Sequence, residues 1–177
     1  MKQSLLLIGL TLFALTVKCQ TSYTWNGSVS TAWNTPGNWT PNGVPGAADN
    51  VTIVTGSNTC MLNNNVGISN LTLTSGTLDL GTFTLTVGGT NATFTSGTVQ
   101  NGTLTVTAAT TTGFNGAVTV NCPVNITSAT VTLKNTTFQQ GLTITKTGAS
   151  NDASSGNNTF NGAATFTNAG SGYLMLG

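Results

Sequence analysis

A short unit recurs through the second half of the chain: Phe, then Asn or Gln, at most one further residue, Gly, and a stretch in which Thr alternates with apolar residues. It runs Gly113-Phe114-Asn115-Gly116-Ala117-Val118-Thr119-Val120, then Thr137-Phe138-Gln139-Gln140-Gly141-Leu142-Thr143-Ile144, then Thr159-Phe160-Asn161-Gly162-Ala163-Ala164-Thr165-Phe166. The phenylalanines stand 24 and 22 residues apart, and Phe94 lies 20 residues before Phe114. A period in this range is the mark of a solenoid, in which each repeat buries its apolar face only against its neighbours.

From Val51 onward the same alternation fills short runs such as Val51-Thr52-Ile53, Leu71-Thr72-Leu73, Phe83-Thr84-Leu85-Thr86-Val87, Leu104-Thr105-Val106 and Val131-Thr132-Leu133, with Gly, Asn or Ser between nearly all of them. A period of two places apolar residues on one side of a strand and Thr on the other. An antiparallel sandwich fits poorly, because the runs are only three to five residues long and few breaks resemble two-residue hairpin turns. The expected fold is all-β, a right-handed parallel β-helix. At about 22 residues per coil, residues 51–177 give roughly six coils of 20–24 residues, a rod on the order of 28 Å long at the inter-strand spacing. In that reading Phe94, Phe114, Phe138 and Phe160 form one inward core stack, and Asn115 and Asn161 stack at matched positions as Asn ladders do.

Composition narrows the functions. Charged residues make up 4% of the chain, against roughly 25% in an ordinary soluble domain. The chain has no Arg, Glu or His; its acids are Asp49, Asp79 and Asp152, and its bases Lys2, Lys18, Lys134 and Lys146. Nothing here would neutralise a phosphate backbone, so nucleic acid is not an expected partner. Disorder is excluded by the recurring Val, Ile, Leu, Phe and Thr. Catalysis is not expected either. Glycoside hydrolysis needs a carboxylate pair, whereas the three acids are 30 and 73 residues apart, and a nucleophilic triad lacks its base. No cofactor or metal is expected.

Residues 1–20 read as a secretory signal, with Lys2 before the apolar run Leu5 to Val17. Cys19 raises acylation, which Lys18 directly before it disfavours. No other stretch is apolar for long enough to span a bilayer, so the expected location is secreted or at a bacterial cell surface. Cys60 and Cys122 are 62 residues apart, nearly three coils, and are expected as separate buried thiols acting as small hydrophobes.

Residues 21–50 hold all three tryptophans, Trp25, Trp33 and Trp39, among Gly, Pro and Asn turn residues. A solenoid needs a terminal unit to cover the apolar end of its stack, and this segment is read as that cap. The alternative is a glycan-binding platform on which the three indoles stack against sugar rings. Asp49 is expected to accept backbone N–H bonds as the loop enters the first strand. At the other end, Tyr173-Leu174-Met175-Leu176 is an apolar strand pattern with no polar cap after it, and the repeats over 51–177 are expected to continue or to stack on another molecule.

The spacing Trp25-x-Gly27, Trp33, Asn38-Trp39, Pro45, Asp49-x-Val51-x-Ile53, with Gly156-Asn157-Asn158-Thr159-Phe160-Asn161-Gly162 and Gly170-Ser171-Gly172-Tyr173-Leu174, resembles the N-terminal region of large secreted β-solenoid proteins of Bacteroidetes type, similar to filamentous-haemagglutinin-like adhesins. The resemblance implies surface attachment or a structural stalk and supplies no catalytic residues. Such proteins end in a sorting domain that this sequence does not contain.

Three functions follow as expectations. The first is a non-catalytic extracellular structural or adhesion module, with surface glycans or another solenoid end as partner. The second is polysaccharide binding by Trp25, Trp33 and Trp39. The third is ice binding through Thr-x-Thr pairs: Thr72/Thr74, Thr84/Thr86, Thr103/Thr105/Thr107, Thr130/Thr132, Thr143/Thr145 and Thr165/Thr167. Their uneven spacings of 12, 19, 27, 13 and 22 residues predict that they lie on different faces.

Overall fold

A computed structural model describes residues 19–176. The leader read over residues 1–20 falls, but for its last two residues, outside the described residues.

The chain winds into a β-solenoid of about six turns whose strands stack in parallel on three faces. The first face is built by Ser22–Trp25, Asn50–Ile53, Asn70–Leu73 and Asn91–Phe94, then by residues 111–115 and 130–134 of the long strands Thr111–Asn121 and Thr130–Phe138. The second holds Cys60–Met61, Thr77–Asp79, Gly97–Gln100, the remaining parts of the two long strands, and Thr159–Phe160. The third holds Val66–Ile68, Thr84–Val87, Thr103–Val106, Val124–Ser128, Leu142–Lys146 and Ala164–Asn168. Period-two alternation gives each strand its two sides: Thr84–Val87 and Thr103–Val106 both alternate half-buried Thr with buried Leu or Val.

The interior is one continuous apolar cluster from the tryptophans to Ile144. Inward positions repeat coil after coil, as in the column Val51, Leu71, Ala92, Thr112, Val131 on the first face. Backbone groups are satisfied by the neighbouring coils, which is why three- to five-residue strands suffice.

The phenylalanines do not form the single stack that their spacing predicts. Phe94 pairs in register with Phe114 on the first face, whereas Phe138 pairs with Val120 and Phe160 on the second. Two stacked pairs result, with centroids 4.3 Å and 5.6 Å apart, joined by an edge-to-face contact of 5.2 Å between Phe114 and Phe138 across the core. The cause is the corner between the first two faces. The register shifts there, so that Gly116 and Ala117 of the fourth coil stand opposite Asn135 alone. Gly116 is required, because a Cβ there would collide with the Thr95 carbonyl. The recurring Phe-Asn/Gln-Gly unit is thus a corner motif: it leaves the first face at Phe114 and the second face at Phe138 and Phe160.

The matched asparagines also separate. Asn115 faces solvent opposite Lys134, and Asn161 is exposed and donates to Gln139 Oε1 at 2.7 Å. The asparagines that do stack are Asn50, Asn70 and Asn91, at the start of the first face. Asn70 Nδ2 donates to Asn50 Oδ1 at 2.6 Å, and Asn70 Oδ1 accepts from the backbone of Thr90 and Asn91 at 2.9 and 2.8 Å.

Candidate functional site

The tryptophan segment forms an incomplete coil over the end of the stack. Ser22–Trp25 pairs in parallel with Asn50–Ile53 and antiparallel with Trp39–Thr40. Ala32 bridges to Met61, so residues 31–33 lie over the second face. Trp39 sits at the centre, edge-to-face with Trp25 at 4.9 Å and with Trp33 at 4.7 Å. Trp39 Nε1 donates to the Trp33 carbonyl at 2.7 Å and Trp25 Nε1 to the Asn58 carbonyl at 2.9 Å. The three indoles are only 1%, 1% and 2% exposed. That corrects the glycan-platform reading, because a sugar ring cannot stack on an aromatic face that no solvent reaches. Trp25, Trp33 and Trp39 are core residues.

Asn38, which sequence reasoning passed over, organises this cap. Its fully buried side chain accepts from the backbone of Val29 and Ser30, both at 2.9 Å, and donates to Ser30 Oγ at 3.0 Å and the Ala32 carbonyl at 2.8 Å. The only signal in the sequence is its place between Gly37 and Trp39.

The three acids are dispersed. Asp49 accepts from Thr21 N at 3.0 Å and Gly46 N at 2.8 Å, the turn role expected of it. Asp79 lies on the second face. Burial works against its ionisation, but hydrogen bonds from Asn101, Gln100 and the Gly81 backbone outweigh that and hold the carboxyl below its ordinary value. Asp152, in the sixth coil, accepts from Val131 N at 2.8 Å with Oδ1, while its buried Oδ2 has no partner. Burial pushes its carboxyl up, against the pull of Val131 N, Lys146 and Met175 N. Lys146 is itself fully buried, and its Nζ donates to the carbonyls of Ala129 at 3.1 Å and Gly148 at 2.8 Å. Strand parity could have found it, since Lys146 shares the inward side with Leu142 and Ile144. Among the described residues no three His, Cys, Asp or Glu side chains are grouped to hold a metal ion.

Cys60 and Cys122 are buried, free thiols, as three coils of separation require. Burial raises both, that of Cys122 to about 12 even though the Leu104 backbone acts to lower it, so neither is a ready nucleophile.

The outward columns are the remaining surface. On the second face Thr77, Thr98, Thr119, Thr137 and Thr159 stack in unbroken register. On the third face Thr86, Thr105, Asn125, Thr143 and Thr165 form one column, and Thr127, Thr145 and Thr167 form the column beside it. The expectation that the Thr-x-Thr pairs scatter is therefore corrected. Thr72/Thr74 and Thr130/Thr132 belong to the first face, but Thr84/Thr86, Thr103/Thr105/Thr107, Thr143/Thr145 and Thr165/Thr167 share the third. Pairs on different faces were interleaved along the chain, and that made the spacings uneven.

Fold and surface together define a capped β-solenoid with uncharged Thr, Asn and Gln columns. No protein-family model, curated protein sequence or solved structure matches the chain.

Proposed function

We propose that the protein is a non-catalytic extracellular structural or adhesion module, a polar but uncharged rod for surface attachment or scaffolding. The observation that carries this reading is the stacking of about six coils whose outward columns repeat neutral hydrogen-bonding groups. The second face suits adhesion best: its Thr column runs beside Gln100, Asn121 and Gln139, which present amides at successive coils. A neutral, hydroxyl-rich surface such as a cell-surface glycan is the partner this chemistry fits, through many weak contacts in parallel. The dispersed acids and the lack of His, Arg and Glu support a non-catalytic role.

The test is adhesion under flow. Beads coated with the full chain should resist detachment from a neutral polysaccharide film at shear that removes albumin-coated beads, and retention should survive high salt, which screens only charge. Detachment at the same shear as albumin removes the adhesion reading.

A further inference from the structure

The third face differs from the other two in what its hydroxyls do. On the first face Thr74 and Thr95 turn their hydroxyls back to the carbonyls of Ile53 and Leu73, each at 3.3 Å, and Thr111 and Thr130 bond to each other at 3.1 Å. On the third face, among the described residues, Thr107 alone of the array reaches backbone, the Val87 carbonyl at a long 3.5 Å. The hydroxyls of Thr105, Thr127, Thr143, Thr145, Thr165 and Thr167 are left for solvent.

Their placement is regular in two directions. Along the rod, neighbouring coils are in register through Thr105, Asn125, Thr143 and Thr165, and through Thr127, Thr145 and Thr167. The repeat is about 4.8 Å in that direction, and about 6.6 Å along each strand between residues i and i+2. These distances approach two of the oxygen repeats on a prism plane of hexagonal ice. Thr is β-branched, so its χ1 is restricted in a strand and rows of methyls and hydroxyls keep a common orientation. No ionised group interrupts the array: Lys146, the one charged residue of these strands, points inward and is fully buried. An exposed charge would hold water in its own hydration shell, in an arrangement unlike the lattice.

We propose that the third face binds ice: its hydroxyls anchor a first layer of water at the lattice spacing, and its methyls keep that layer from mixing with bulk solvent. This goes beyond the adhesion reading, which rests on the second face, and either can fail while the other stands.

Thermal hysteresis of the full chain in a nanolitre osmometer is the test. Hysteresis above that of albumin at equal concentration is expected. Thr143→Lys should lose most of it, whereas Thr119→Lys, at an exposed position in the second-face column, should keep it. Circular dichroism checks that each variant retains its strands. Should Thr143→Lys not fold, Thr165→Lys in the more exposed sixth coil makes the same substitution in the same column. Hysteresis no greater than albumin's overturns the proposal, and so does an equal loss in Thr119→Lys.

Discussion

Asn38 and Thr112 are both fully buried polar side chains, one in the cap and one in the fourth coil. Asn38 uses its amide four times, on backbone and side-chain partners from Val29 to Ala32. The Thr112 hydroxyl has no partner, and neither has that of Ser128 nearer the far end. The difference lies in the backbone around them. The cap is made of turns, whose N–H and C=O groups have no ladder to join and need a side chain to satisfy them. In the regular coils every backbone group is spoken for by the coil above or below, so a polar side chain at an inward position finds nothing to bond. Lys146 is the instructive exception, because it reaches the carbonyls of Ala129 and Gly148 at a corner, where the ladder is broken.

The comparison can be broken in four ways. Trp39→Ala removes the ring on which Trp25 and Trp33 both pack and should cost about 3–5 kcal/mol of stability in urea unfolding; a loss below about 1 kcal/mol would show that the cap does not hold the first coil. Asn38→Ala strands two N–H groups and a carbonyl and should cost about 2–3 kcal/mol by the same measurement. Thr112→Val performs the same operation, deleting a buried polar group, yet should raise stability by about 1 kcal/mol, since its column otherwise holds Val51, Leu71, Ala92 and Val131. A loss of stability in that variant would mean that the hydroxyl has a partner after all.

The smallest effect is a slope with pH. Asp152 has its carboxyl raised above the ordinary 3.8, so the folded state holds that proton more tightly than the unfolded one. Its contribution is fully present below 3.8 and is lost as pH rises through the raised value. Asp79 is lowered from 3.8 and acts in the opposite sense: its contribution is present above 3.8 and is lost as pH falls through the depressed value. Melting temperature should therefore climb with pH below 3.8 and decline above it. Asp152→Asn should remove the decline and leave the climb, and a decline that persists in this variant would assign it to another group.

Much of this was legible beforehand. Alternation in Val51-Thr52-Ile53 and its successors fixes which side of each strand is buried, and that parity holds through Leu142-Thr143-Ile144. The cysteines were placed by coil count, and Asp49 by its position at a turn. The site was less legible. The indoles could be read as platform or as cap until burial decided it, and Asn38 looked like any other turn residue. Lys146 carried its inward parity openly, but a charged residue is seldom assigned to a core.

By itself, the sequence determined a parallel stack of about six coils, its apolar interior, its uncharged exterior and the tryptophan segment at one end. Only the tertiary structure decided which residues share a column. Coils close by stacking, and their corners differ by a residue or two, as where Gly116 and Ala117 stand against Asn135. Each such difference shifts the phase of everything after it. Equal spacing in sequence therefore did not align Phe114 with Phe138, and unequal spacing did not keep the threonines of the third face apart.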